Sequence, residues 1–190
     1  TENISSETIT LAIQQLPTGY RTIFNMHVLE GSMEAHFGGN LNLMLAVTEF
    51  PVKRLILMGS MDEYEEATDS PSPPSPYAAS KMVSSAYAKM FHNLYDLPIV
   101  IAKIYMTYGP NQKDGDKLIP YTIASLLNGK VPTFSSGERM VDWIYVSDVV
   151  DGLLKIMITP GLEGNTVELG TGKLVSVKDI ICSIFKNLNL

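Results

Sequence analysis

One cysteine, one tryptophan, three histidines and three arginines are all that 190 residues hold of these types. Each shortage excludes something. The lone Cys182 rules out an internal disulfide, which fits a reducing compartment and makes the cytoplasm the expected location. His27, His36 and His92 are scattered, with no Cys or carboxylate at ligand spacing, so no metal site is expected. No apolar run reaches the ~18 residues that a membrane helix needs, and the polar start carries no signal-peptide pattern. Lysines and arginines form no cluster and the formal charge is −6, so neither nucleic acid nor a membrane is expected as a partner. Arg139, one of so few guanidiniums, stands out as a candidate phosphate ligand.

What is present suffices for a folded domain: 45% of residues are hydrophobic and 18% charged, enough apolar surface for a sizeable core. Read in order, Ser5 to about Leu16 is an expected helix, Thr22 to Met26 a strand, and Glu34 to about Phe50 a helix with Leu41, Leu43, Met44, Leu45 and Val47 as its apolar positions. Arg54 to Ser60 is a short apolar run ending in small residues, the pattern of a buried parallel strand that delivers Ser60 to its C-terminal end. Ligand sites of open α/β sheets lie at such ends. Ser70 to Pro76 is a proline-rich loop that stops just before Tyr77. A helix from Tyr77 to about Tyr95, a buried strand from Pro98 to Tyr105 and a turn at Tyr108-Gly109-Pro110 follow. Leu118 starts a helix to about Leu127, Gly129 to Pro132 turns into a strand, and Val177 to Asn187 is the last helix. There is no internal repeat and no linker long enough to separate independent domains.

The stretch Pro76-Tyr77-Ala78-Ala79-Ser80-Lys81 carries the chemistry. Tyr77 and Lys81, four residues apart, project from one face of a helix and set an ammonium beside a phenol. A positive charge next to a phenol favours the phenolate, which makes the pair an acid/base device. Ser60, seventeen residues before Tyr77, can offer a hydroxyl to the same substrate oxygen. By itself a Tyr four residues before a Lys is no more than the start of an amphipathic helix. The strand-end serine and the proline-rich loop give it context.

With those flanks the chain resembles the extended short-chain dehydrogenase/reductases, in particular the NAD-dependent epimerase/dehydratase family of nucleotide-sugar enzymes. In that family a strand-end Ser or Thr, four residues before a Tyr such as Tyr64, completes a triad with a Tyr-x-x-x-Lys pair. Tyr108-Gly109-Pro110 and Asp142-Trp143-Ile144-Tyr145-Val146 resemble its later signatures, so the resemblance runs from about Thr22 to Ile184. It implies an α/β fold, a Rossmann-like doubly wound parallel sheet incomplete at the N-terminus, followed by the start of a small C-terminal substrate domain. On this reading residues 1–110 are the core lacking its leading βαβ unit, and 111–190 are mixed core and substrate-domain elements.

The resemblance further implies catalytic roles for Ser60, Tyr77 and Lys81. It implies NAD or NADP as cofactor, contacted by Asn40, Tyr77, Lys81 and Tyr105. A nucleotide-sugar substrate would meet Ser60, Met106, Leu118 and Arg139, and the protein would be a homodimer. Epimerase, dehydratase and 4-reductase chemistry all begin from such a triad, and a truncated chain could instead serve as a non-catalytic binding or assembly module. Departures from the pattern are His27-Val28 where small residues are usual, Lys103 for an Arg, Met106 for an Asn, and Arg139 three residues before Asp142 rather than next to it. The 4,6-dehydratases carry two acids directly after the strand-end hydroxyl; those places hold Met61 and Asp62, which leaves Glu63 as a solvated loop carboxylate. Trp143 reads as core rather than as a stacking platform.

The glycine-rich strand-turn-helix whose amides hold a dinucleotide's pyrophosphate has no counterpart in the sequence. Gly38-Gly39 and Gly170-Thr171-Gly172 do not follow a leading strand. These 190 residues by themselves are therefore expected to bind NAD weakly or not at all. Calorimetric titration of the purified chain, with sedimentation to give its mass, checks this; micromolar binding by a well-behaved monomer would contradict it.

Overall fold

The computed structural model describes residues 33–50, 52–63, 73–112 and 114–188. The helix and strand expected before Met33, His27-Val28 and Tyr64 lie outside these residues. Contacts divide the chain into two units, one running up to Ala102 and including Thr159–Val167, the other Lys103–Ile158 with Glu168–Leu190.

The first unit begins its described part with helix α1 (Met33–Glu49), strand β1 (Leu55–Ser60) and helix α2 (Pro76–Tyr95). The start of α2 is written in its sequence. The Ser75 hydroxyl accepts the Ala78 N–H at 3.1 Å and Pro76 fills the first turn, where its missing N–H costs nothing. The helix ends where Asp96 turns left-handed at φ 55°. Buried positions Ala78, Lys81, Ser84, Ala88 and Phe91 recur at intervals of three and four, so two polar side chains share the core stripe. Strand β2 (Ile99–Ile104) is buried from Ile99 to Lys103, as befits a central strand. It lies between β1 and β5 (Thr166–Leu169). Hydrogen bonds from Ile101 N to Asn165 O and from Tyr105 N to Leu169 O advance together along both strands, so β2 and β5 run parallel. Met44, Val47, Leu57, Ala88, Phe91, Ile99 and Ile101 form the core of this unit.

The second unit has its own three-stranded sheet, ordered β3 (Met106–Tyr108), β4 (Met140–Tyr145) and β6 (Leu174–Ser176). Strands β3 and β4 are parallel, Met106 facing Trp143, while β4 and β6 are antiparallel, Asp142 facing Leu174. Helices α3 (Leu118–Leu127), α4 (Val146–Ile158) and α5 (Val177–Asn187) complete it. The Ser176 hydroxyl caps α5 by accepting the Asp179 N–H at 3.0 Å.

The strand expected from Pro98 to Tyr105 is β2, while the short strand β3 that follows it in the other sheet was not expected. One expectation needs correction. The segment after Pro132 is irregular and joins no sheet before Met140. Pro132 has no N–H to donate, and the Thr133 N–H goes to the Tyr121 hydroxyl at 3.2 Å instead of to a neighbouring strand.

Gly164 opens the approach to β5. It sits at φ +80°, and a Cβ there would lie 2.3 Å from the ring of His92, which is tied to Leu97 O at 2.8 Å. Gly164→Ala is expected to cost about 1–3 kcal/mol in backbone strain and displaced imidazole, read as a lower urea midpoint at unchanged m-value.

Candidate active site

Strand β1 and helix α2 bring Ser60, Tyr77 and Lys81 into one unit. Lys81 is 6% exposed, an unusual depth for an ammonium. Its Nζ donates to Met58 O at 2.8 Å, two residues before Ser60 on β1, and lies 5.8 Å from the centre of the Tyr77 ring. Burial holds the Lys81 pKa below the ordinary 10.5, and the negative charge of Glu63 offsets part of that. Ser60 is buried at the last position of β1. Its hydroxyl accepts the Asp62 N–H at 3.2 Å, so the strand end closes into a tight turn. Asn40, on α1, is 4% exposed and donates its amide to the Ser84 hydroxyl at 3.1 Å. Ser84 in turn donates to Ser80 O. Asn40 thereby fastens α1 to the polar part of the α2 stripe.

In the second unit Met106, Leu118 and Arg139 line one cleft of about 300 Å³, with Tyr108, Lys117 and Trp143. Arg139 and Lys117 give this cleft two cations. Trp143 is half-buried and donates its indole N–H to Val175 O at 3.3 Å; it borders the cleft rather than closing a core. Tyr105 does not line it. Its ring packs on Gly170, where a Cβ would come within 3.0 Å of it, and its N–H enters the β2/β5 ladder. Among the described residues there is no group of three His, Cys, Asp or Glu able to hold a metal ion, and no helix long and apolar enough to cross a membrane.

The family model for the NAD dependent epimerase/dehydratase family matches residues 25–170, most of the chain. The chain belongs to that family. A dTDP-glucose 4,6-dehydratase of Escherichia coli is 35% identical over 121 residues, 62% of this chain and 33% of that protein. Its counterpart in Neisseria gonorrhoeae is 32% identical over 136 residues, 70% of this chain and 38% of that protein. Among solved structures, dTDP-glucose 4,6-dehydratase from Bacillus anthracis in complex with NAD superposes with TM-score 0.73 at 23% identity, covering 83% of this chain and 53% of that one. UDP-N-acetylglucosamine 4-epimerase from Methanobrevibacter ruminantium gives 0.74 at 23% identity, covering 98% and 59%. The chain thus spans about a third of the curated relatives it matches and about half of the solved chains; those structural likenesses establish a shared epimerase/dehydratase fold.

Two residues were missed from sequence. Glu63 is not a solvated carboxylate. It is half-buried and accepts the Ser60 N–H at 2.7 Å through Oε1 and the Ser85 hydroxyl at 2.7 Å through Oε2. A carboxylate in a turn has no periodic signal, and its partner lies 22 residues away. Asp142 is the other. It is 5% exposed, yet takes the Thr171 N–H at 2.9 Å, the Thr171 hydroxyl at 2.6 Å and the Gly172 N–H at 2.8 Å. An acid inside an apolar strand, with a Gly-Thr-Gly loop downstream, was the available sign.

Burial raises the Asp142 pKa, but the Thr171 hydroxyl and the two amides outweigh it, and the carboxyl titrates below its ordinary 3.8. The stability it contributes is therefore complete above the unfolded value and lost as pH falls through the lowered folded value. Asp142→Asn is expected to lose about 1–3 kcal/mol at pH 7 and to unfold less steeply below about pH 4. Urea titrations at a series of pH values check both.

Proposed function

We propose that the protein oxidises C4 of a nucleotide sugar with NAD, and that Ser60, Tyr77 and Lys81 carry the proton chemistry. The observation behind this reading is the Lys81 ammonium, buried between the Met58 carbonyl and the Tyr77 ring. A protein does not bury such a charge cheaply, and a catalytic phenol is a reason to do so. In this scheme the positive charge of Lys81 holds Tyr77 as the phenolate, the phenolate oxygen takes the proton of the C4 hydroxyl and becomes the phenol, and the Ser60 hydroxyl orients the sugar oxygen.

The residues fit the nicotinamide end of the cofactor. An ammonium has three N–H bonds, and among the described residues one hydrogen bond is made, to Met58 O. Lys81, Tyr77 and Asn40 would hold that end. When bound, NAD supplies the acceptor for the hydride leaving C4. Arg139 and Lys117, bordering the cleft of the second unit, suit the diphosphate of the substrate, and Trp143 offers a flat face beside it.

Met61 stands where a dehydratase has its first acid, so no carboxyl at that place can protonate a leaving hydroxyl, and Glu63 is held at both oxygens. This favours oxidation followed by return of hydride to the opposite face, which is epimerisation, over loss of water. Exposed Leu43 and Leu45 on α1 and Leu94 and Tyr95 on α2 suit pairing of two copies through their helices, and the exposed Cys182 thiol suits a reducing cytoplasm.

Tyr77→Phe removes the proton acceptor and keeps the ring. Turnover is expected to fall about a hundredfold or more, with NAD affinity little changed; turnover within threefold of the parent would sink the assignment. Arg139→Ala is expected to raise the dissociation constant for dTDP- and UDP-sugars roughly ten- to a hundredfold and leave that for NAD unaltered, as calorimetry can measure. Formation of a 4-epimer rather than a 4-keto-6-deoxy sugar, followed by NMR of the product, distinguishes the two outcomes of C4 oxidation.

A further inference from the structure

Glu63 is engaged through its backbone N–H and both carboxylate oxygens. Its N–H donates to Ser60 O at 3.1 Å, Oε1 accepts the Ser60 N–H at 2.7 Å, and Oε2 accepts the Ser85 hydroxyl at 2.7 Å. The Ser60 hydroxyl meanwhile accepts the Asp62 N–H. The amide, carbonyl and hydroxyl of Ser60 are thus all held by Asp62 and Glu63 of that turn. Ser85 lies four residues after Lys81, so the two side chains leave neighbouring places on α2. A single carboxylate therefore spans from the strand end that carries Ser60 to the helix that carries Tyr77 and Lys81. Its place is the third after the strand-end hydroxyl, outside the two acid positions of the dehydratases.

We propose that Glu63 is a positioning residue of this centre, which fixes the end of β1 to α2 through Ser85 and stands as the counter-charge of the Lys81 ammonium. The proposal rests on the catalytic reading of Ser60, Tyr77 and Lys81 given above. Hydrogen bonds to an ionised carboxylate are short and roughly twice as strong as neutral ones, and displacement of a reacting group by about 1 Å can cost a hundredfold in rate. A tie of this kind keeps hydroxyl, phenol and ammonium at one spacing. Among the described residues, the groups facing Lys81 are the Tyr77 ring on its own helix, and the Met58 carbonyl and Glu63 carboxylate from β1 and its turn. Glu63 is the one anion among them.

Three variants separate the tie from the charge. Glu63→Gln keeps an acceptor for the Ser60 N–H and a hydrogen-bonding group for Ser85 but is neutral. Glu63→Ala removes both functions, and Ser85→Ala removes the helix end of the tie alone. The readouts are kcat and KM, the position of the Ser60 amide signal, and the Lys81 titration followed by NMR of labelled lysine, assigned through Lys81→Met. Glu63→Ala and Ser85→Ala are expected to lower kcat about tenfold or more with KM within about twofold, and to shift the Ser60 amide in Glu63→Ala. Glu63→Gln is expected to recover most of kcat while its Lys81 titrates at lower pH than in the parent.

A loss of melting temperature in Glu63→Ala, with the Lys81 titration and kcat unchanged, would overturn the proposal and leave Glu63 as a stability contact. Should Glu63→Ala fail to fold, an unchanged kcat in Ser85→Ala together with an unmoved Lys81 titration in Glu63→Gln would overturn it equally. An inert parent would sink the functional reading instead, while the Ser60 amide and the Lys81 titration would still decide the tie.

Discussion

A buried ammonium is the constraint on which the first unit depends. Removing a lysine head group from water is costly unless it is hydrogen-bonded and faces an opposite charge, and Lys81 sits in the core stripe of α2 between Ala78 and Ser84. Its position is answered on three sides. The Met58 carbonyl accepts from it, the Tyr77 ring lies under it, and the carboxylate of Glu63 opposes the cost of burial. Each of these groups is placed by something else. Ser75 and Pro76 fix where α2 starts and hence the angular position of Tyr77 and Lys81. Strand β1 brings Met58, and the turn after Ser60 brings Glu63. Asn40, through Ser84, holds α1 against the same stripe.

The second unit answers a buried charge of the opposite sign in another way. Asp142 is surrounded not by cations but by dipoles: two backbone N–H groups and a hydroxyl from the loop at Thr171 and Gly172. That loop can approach because Gly170 has no side chain to meet Asp142, whose Oδ2 would lie 2.7 Å from a Cβ there. The carboxylate thereby anchors the approach to β6 beside β4, the strand whose neighbours Val141 and Trp143 line the cleft with Arg139. In both units a charge is kept out of water by fixed partners, and residues attributed to substrate or cofactor stand on the elements so fixed.

The parts legible in the sequence are those written in local signals. The four-residue spacing of Tyr77 and Lys81, the proline-rich loop before them and the apolar runs of β1 and β2 place the triad residues on a strand end and a helix start, where the structure has them. Helices α1, α2, α3 and α5 begin and end within a residue or two of expectation, because caps, prolines and periodicity are properties of adjacent residues. What was not legible depends on partners distant in the chain. Glu63 looks like any loop carboxylate until Ser85 is beside it. Strand β3, which follows the expected strand β2, exists because Met106 to Tyr108 pair with β4. Strand β6 is three residues long and owes its existence to pairing with β4. The segment after Pro132 was expected to be a strand, yet the Tyr121 hydroxyl takes the Thr133 N–H that a ladder would need.

Lys81 is a buried, partnered ammonium rather than a solvated helix residue. Following the Nζ of Lys81 by NMR across alkaline pH in the unmodified protein tests it most directly. The expected result is a titration midpoint below the ordinary 10.5 of a lysine and slow exchange of the ammonium protons with water. A midpoint at or above that value, with exchange as fast as that of the exposed lysines, would contradict it.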